Sequence, residues 1–147
     1  MQTSLWRRPE RFGYNRLVAT QFAKELAEQT RGAIDAIELV GSAVKPRRIS
    51  TGGDIDLHIF FKTAEGMKKY ERVLKQVKAS FERKFGPPVY EFINKTDYLE
   101  FQVTHVNAQD FKPMLTEKMD RSILFAAKDS KTIELLNKIH GKKFNLN

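Results

Sequence analysis

The sequence predicts an α+β fold in which helices flank a small mixed β-sheet, built as a single domain over residues 1–147. Stretches with the period of an amphipathic helix alternate with short runs in which every second residue is apolar. A hydrophobic content of 41% is sufficient for one ordinary core. No internal repeat, linker or low-complexity segment divides the chain. We therefore expect the elements to pack as layers around one core.

The first part of the chain predicts an arm, a helix and two strands. Residues 1–13 show no periodic pattern and are expected to form an arm or loop. Apolar residues at helical spacing predict a helix from about residue 15 to residue 32. The apolar run at 36–40 predicts a short strand that Gly41 ends, and the clean alternation at 54–61 predicts a second strand.

A long amphipathic helix is predicted next, over residues 63–85. Thr63 is its expected N-cap, Gly86 with the two prolines after it should end it, and its apolar stripe should face the core. A short strand at 89–93 and an alternating strand at 98–106 follow, separated by turn residues that would suit a hairpin.

The last part of the chain is predicted to be helical, from residue 111 to about residue 140. Two helices should meet near residues 128–130, where Asp129 or Ser130 would cap the second one. Gly141 should end that helix.

The charge distribution suggests an anionic partner. The formal net charge is +8; the predicted helical segments 62–85 and 111–147 are basic, whereas 33–61 and 86–110 are acidic. Basic helices around an acidic site would suit a polyphosphate or a nucleic acid near a carboxylate-held metal. Solvated basic helix faces are the plainer alternative. With no cysteine and only three scattered histidines, any metal should be a hard, oxygen-bound cation.

The hydropathy pattern suggests no membrane association. No apolar run approaches the roughly 20 residues that span a bilayer. The start of the sequence lacks the apolar stretch of a secretory signal, so we expect a cytoplasmic protein.

Asp54 and Asp56 are the most informative residues of the sequence. They lie one strand period apart, so both carboxylates project to the same face of a strand. Such a pair can hold one divalent cation, or two cations about 3.5 to 4 Å apart as phosphoryl transfer requires. Gly41 and Ser42 precede the pair by eleven intervening residues. A glycine there lets backbone amides approach a phosphate, and the serine offers a hydroxyl.

Glu100 is a candidate third carboxylate. The apolar face of its strand matches that of the 54–61 strand, so neighbouring strands would place Glu100 on the side of Asp54 and Asp56. Carboxylates that converge repel one another, and a divalent cation is their natural counter-charge. An exposed strand residue is the alternative for Glu100. Asp97 competes for the same role, but its predicted turn position fits capping better.

The run Gly41-Ser42, eleven residues, then Asp54-Ile55-Asp56-Leu57 resembles the signature of the DNA polymerase beta-like nucleotidyltransferase superfamily, particularly its short, minimal members. The resemblance is strong over about residues 36–61 and extends weakly along the chain through the order of the elements. It implies a fold similar to the palm of that polymerase, an NTP substrate such as ATP, and two Mg²⁺ ions, or Mn²⁺.

The resemblance also implies a role for each residue of the motif. Gly41 and Ser42 would contact the triphosphate, Asp54 and Asp56 would bind the metal ions, and Glu100 would be the third catalytic acid and metal ligand.

Three cations lie between the phosphate turn and the metal strand, where a triphosphate held by both would pass: Lys45, Arg47 and Arg48. Arginine grips phosphate oxygens in a bidentate fork, and lysine supplies a point charge. We expect at least one of them to bind the nucleotide; solvent-facing loop charges are the alternative.

The sequence thus predicts a metal-dependent nucleotidyltransferase that moves a nucleoside monophosphate from an NTP to an acceptor hydroxyl and releases pyrophosphate. The acceptor would be an RNA 3′ end, a protein or a small molecule, and the net charge favours RNA or another polyanion. The alternative is a non-catalytic module of similar fold that binds nucleic acid or regulates a complex. Because relatives of this size usually work with a second domain or subunit, we expect a homo-oligomer or a heterocomplex.

Two further features were open to more than one interpretation. His58 shares the face of Asp54 and Asp56, and we expect a partly exposed strand histidine, with a substrate contact as the alternative. Trp6 and Tyr14 stand near arginines and would either stack on nucleic acid or anchor the arm to the domain.

Overall fold

Five α-helices and four β-strands form the part of the chain described by the computed structural model, residues 10–44, 55–86 and 98–141. The helices are α1 (Glu10–Gln29), α2 (Ala64–Lys69), α3 (Glu71–Phe85), α4 (Phe111–Thr116) and α5 (Lys131–His140). The strands are β1 (Ile34–Val40), β2 (Ile55–Phe61), β3 (Leu99–His105) and β4 (Arg121–Ala126). The predicted fold class, α+β with helices flanking a small mixed sheet, is confirmed. No helix in these ranges is long and apolar enough to cross a membrane.

The four strands form one sheet in the order β3-β2-β1-β4. β1 is antiparallel to both β2 and β4, whereas β2 and β3 are parallel. Strand alternation divides the apolar residues between two faces. Leu57 and Ile59 belong to the larger core, which includes residues of α1 and α3. Phe60 belongs to a second core with Phe111 of α4 and Leu136 of α5. The second face is the one that carries the polar residues of the site.

Helix α1 begins at Glu10, so the prediction of an arm or loop was wrong for residues 10–13. The sequence places a proline directly before Glu10, and proline is favoured at helix starts. Gly13 costs the helix about 1 kcal/mol relative to alanine. Tyr14 offsets part of that cost because its hydroxyl donates to the carbonyl of Phe85 at 2.9 Å. Residues 1–9 of the predicted arm lie outside the described residues.

The helix predicted over residues 63–85 is divided at Tyr70, whose φ is −101° and ψ is 13°. Thr63 caps α2 as predicted, its hydroxyl accepting from the backbone N–H of Gly66 at 3.0 Å. A Cβ on Gly66 would lie 3.4 Å from the Cβ of Ala33, so α2 packs closely on the chain before β1. This close packing sets the direction of the α2 axis, while the packing of the apolar stripe of α3 on the core sets a different direction for the α3 axis. The bend falls between them, and α3 ends before Gly86 as predicted.

Residues 121–126 form strand β4, where the sequence predicted helix. This segment contains Ile123 and Phe125, residue types that fit a half-buried sheet, and it pairs antiparallel with the free edge of β1. Tertiary pairing thus overrides the helical pattern. Helix α5 begins after Ser130, whose hydroxyl accepts from the N–H of Ile133 at 3.1 Å, which confirms this cap. The strand predicted at 89–93 lies outside the described residues.

Candidate functional site

Asp56 and Glu100 are register partners on the parallel strands β2 and β3. Register partners in a sheet project to the same face, so both half-buried carboxylates stand side by side. The sequence expectation that Glu100 shares a face with Asp56 is therefore met by the sheet. Asp54, the other member of the predicted pair, lies outside the described residues.

Glu82 of α3 holds the beginning of β3 in this register. Its Oε2 accepts hydrogen bonds from the backbone N–H groups of Tyr98 at 2.8 Å and Leu99 at 2.9 Å. The N–H of Ile55 donates to the carbonyl of Tyr98 at 2.9 Å, which ties β2 to the same point. The position of Glu100 beside Asp56 is thus fixed from both the helix and the neighbouring strand.

The Gly41-Ser42 turn lies against the same carboxylate. Val40, the last residue of β1, is the register partner of Asp56, and the chain then turns through the 3-10 helix Gly41–Ala43. Gly41 has a φ of +82°, which favours glycine, and a Cβ built on it would lie 3.4 Å from Asp56 Oδ2. A side chain at position 41 would therefore contact the predicted metal ligand, and glycine leaves that space beside the carboxylate open.

A cavity of about 210 Å³ opens between these groups and the α4–β4 connection. Its lining includes Gly41, Asp56, Glu100, and also Glu117 and Met119. The sequence predicted helix through this segment and so did not indicate the last two residues as part of the site. The β-branched and aromatic residues that follow, Ile123 and Phe125, were the sequence signal for a strand with a loop before it.

The chemistry of these donors fits a hard divalent cation. Carboxylate oxygens are the ligands that Mg²⁺ and Mn²⁺ prefer, and Glu100 forms no hydrogen bond or ion pair with the residues described. Within those residues no group of three or more Asp, Glu, His or Cys could hold a metal ion. A complete site of the predicted kind would need Asp54. Lys45, Arg47 and Arg48 are likewise outside the described ranges.

A buried network of charged residues lies beside the cavity. His58 is 4% exposed, so the expectation of a partly exposed histidine was wrong. The reason is Glu38 on the adjacent strand β1, fully buried, whose Oε1 lies 2.9 Å from His58 Nδ1. The same oxygen accepts from Arg121 of β4, which also donates to the carbonyls of Met114 and Glu117. A glutamate inside the apolar run of β1 was the sequence signal for such a network.

Comparisons with known proteins show a likeness in structure but none in sequence. No family model matches the sequence. No curated protein matches it either. The structure is similar to the crystal structure of a Sulfolobus solfataricus protein provisionally assigned as a nucleotidyltransferase, at 13% sequence identity and a TM-score of 0.46. The match covers 82% of this chain and 88% of that one.

Tyr14 anchors α1 to the domain, which was one of the two roles considered for it. Its hydroxyl donates to the carbonyl at the end of α3, on Phe85. Burial raises the pKa of Tyr14 above its usual range, because the ionised phenol would lose its hydration. Trp6, considered for the same roles, lies outside the described residues.

Proposed function

We propose that this protein is a metal-dependent nucleotidyltransferase, which transfers a nucleoside monophosphate from an NTP to an acceptor hydroxyl and releases pyrophosphate. The observation that carries the proposal is that Asp56, Glu100 and the Gly41 turn lie together at one end of strands β2, β3 and β1. A carboxylate pair beside an open backbone turn suits a cation and a phosphate bound in contact with each other.

Each residue of the motif takes a distinct role in this proposal. Asp56 and Glu100, together with Asp54, would hold Mg²⁺ or Mn²⁺. The bound metal would neutralise the triphosphate and lower the pKa of the attacking hydroxyl. The backbone at Gly41 and Ser42 would bind phosphate oxygens and so orient the triphosphate at the carboxylate edge.

Three cations in the following loop would extend the phosphate contacts: Lys45, Arg47 and Arg48. Their position in the sequence, between the phosphate turn and β2, supports this role. A fork of guanidinium donors on the leaving pyrophosphate would favour its departure, since charge accumulates there during transfer.

The exposed surface of α2 and α3 supports a polyanionic acceptor such as RNA. Lys68 of α2 and Arg72 and Lys75 of α3 are exposed. Cations spaced along a helix attract a phosphate backbone without reading its sequence. The same surface would serve the alternative function, a non-catalytic nucleic-acid-binding subunit, so activity must decide between the two.

The test is label transfer from α-labelled NTPs to RNA in the presence of Mg²⁺ or Mn²⁺. We expect Asp56→Asn and Glu100→Gln each to lower the transfer rate at least about a hundredfold, because the charge that holds the cation is lost. Glu65→Gln, an exposed change on α2, is the matched control and should keep the wild-type rate.

A binding measurement separates the proposal from its alternative. A nonhydrolysable NTP at about 100 times its Kd should stabilise the protein by about 2.7 kcal/mol, and only when a divalent cation is present. The catalytic proposal fails if no nucleoside monophosphate is transferred and Asp56→Asn changes neither nucleotide binding nor RNA binding. RNA binding that is equal with and without metal would then favour the non-catalytic subunit.

A further inference from the structure

His58 lies in the wall of the site cavity, two residues beyond Asp56 on the same face of β2. Its imidazole is almost fully buried, and such a polar ring is costly unless it is hydrogen-bonded. Nδ1 meets this requirement through Glu38 Oε1 at 2.9 Å. Because Arg121 donates to the same carboxylate oxygen, Glu38 is held in place and fixes the orientation of the ring.

The other ring nitrogen of His58, Nε2, takes no part in this hydrogen-bond network. Nε2 has no hydrogen-bond partner among the described residues. Two other atoms of the network, Glu38 Oε2 and Arg121 Nε, also lack a partner, but these two atoms are buried away from solvent. His58 lines the cavity, and because Glu38 occupies Nδ1, Nε2 is the ring nitrogen left to bond a molecule that enters.

We infer that His58 contacts the acceptor substrate, and that its Nε2 forms a hydrogen bond with the acceptor hydroxyl. This inference rests on the proposed function and deepens it. A hydroxyl both donates and accepts, so it pairs with Nε2 in either protonation state of the ring, whereas a phosphate oxygen can only accept. In the proposed reaction the attacking group of the acceptor is a hydroxyl, and separate KM values for the acceptor and the NTP distinguish it from the ribose hydroxyls of the NTP. Glu38 and Arg121 are then positioning residues, which act through the ring.

The size of the cavity supports a hydroxyl-bearing end rather than a whole nucleotide. Pockets that enclose drug-sized ligands measure about 300 to 1,000 Å³, whereas this cavity measures about 210 Å³. Its carboxylates, Asp56 and Glu100, would hold the cation at the edge, and His58 lies one strand period deeper. A hydroxyl that reaches Nε2 is therefore oriented next to the predicted metal position.

Two substitutions separate the contacts of the two ring nitrogens. His58→Asn places an amide near Nδ1 and keeps a partner for Glu38, but it removes the group at Nε2. His58→Gln places an amide near Nε2. We expect His58→Asn to raise the KM for an RNA acceptor about tenfold, the effect of one lost hydrogen bond, with the KM for NTP unchanged. His58→Gln should restore much of the acceptor KM. His140→Asn, at the exposed end of α5, is the control.

The outcomes distinguish this inference from the proposed function. If Asp56→Asn is inactive while His58→Asn keeps the wild-type acceptor KM, the inference is wrong and the proposed function stands. A structural role alone would lower the Tm and raise both KM values together, which would also overturn it.

A readout that does not need activity covers the case in which the wild type transfers no label. Only three histidines are present, and His58→Asn identifies the His58 signals in ¹⁵N-histidine NMR spectra. Ribose should shift the His58 Nε2 resonance, and pyrophosphate should not. The absence of a shift with ribose, or an equal shift with pyrophosphate, overturns the inference.

Discussion

Replacing Arg121 with methionine should destabilise the protein strongly, because it leaves a buried carboxylate without its counter-charge. Glu38 is fully buried and the Arg121 side chain is 3% exposed. Methionine fills a similar length of the space without the charge or the donors. The change therefore isolates the electrostatic role of the arginine from its packing.

The magnitude follows from the burial of the pair. Removing one partner of a buried ion pair costs about 3–5 kcal/mol, since the remaining charge is neither hydrated nor paired. A domain has a total stability of about 5–15 kcal/mol. For a mid-range stability of about 10 kcal/mol, Arg121→Met should thus remove about a third to a half of the free energy of unfolding and lower the Tm by roughly 10–20 °C. The carbonyls of Met114 and Glu117 also lose their donor, which adds to the loss.

Urea unfolding monitored by circular dichroism measures the effect, and a double-mutant cycle with Glu38→Gln tests its cause. The double variant leaves no buried charge without a partner. Its loss of stability should therefore be smaller than the sum of the two single losses, by a coupling free energy of about 0.5–3 kcal/mol. Lys75→Met is the control, since Lys75 and Glu71 form an exposed pair with side chains 74% and 68% exposed. It should change stability by less than about 0.5 kcal/mol. Equal losses for the buried and exposed pairs, or purely additive effects in the cycle, would refute the reasoning.

Two other substitutions test the turn and the helix anchor. Gly41→Ala and Gly32→Ala should each lower the free energy of unfolding by about 1 kcal/mol, because both glycines have a positive φ. Only the new Cβ of Gly41→Ala would meet Asp56 Oδ2, so only this variant should also impair metal-dependent nucleotide binding. Thermal stabilisation by the nucleotide measures the difference. Tyr14→Phe loses the bond to the Phe85 carbonyl and about 1 kcal/mol at neutral pH. Because the pKa of Tyr14 is raised in the folded state, the wild type loses stability as the pH rises above about 10. The difference in free energy of unfolding between wild type and Tyr14→Phe should therefore narrow at high pH. A difference that stays constant with pH would contradict this prediction.

The sequence was sufficient to predict the strands that carry the candidate site. Alternation is clear over residues 55–59 of β2 and 99–104 of β3, because these parts of the strands have one apolar face on the larger core and one polar face. That alternation is why the relative faces of Asp56 and Glu100 could be predicted without a structure. The metal and phosphate roles of these residues stay predictions, as do those of the residues outside the described ranges.

The sequence was not sufficient where long-range contacts decide the local structure. The segment 121–126 has a composition compatible with helix, and only the unpaired edge of β1 makes it a strand. The burial of His58 depends on Glu38 and Arg121, which are far apart in sequence and meet only across three strands. Periodicity in one segment contains no information about such a partner.

The unpredicted strand β4 also changes what belongs to the site. Arg121 is the register partner of Val40, and the N–H of Gly41 points to the carbonyl of Asp120 at 3.4 Å. The start of β4 therefore supports the Gly41 turn from the side opposite Asp56. The same connection brings Glu117 into the cavity lining and receives the side-chain donors of Arg121. Since one arginine joins this connection to Glu38 and thereby to His58, a shift of β4 would disturb the turn, the cavity wall and the histidine together. The Gly41 turn beside Asp56 is thus supported by a segment about 65 residues further along the chain than Asp56.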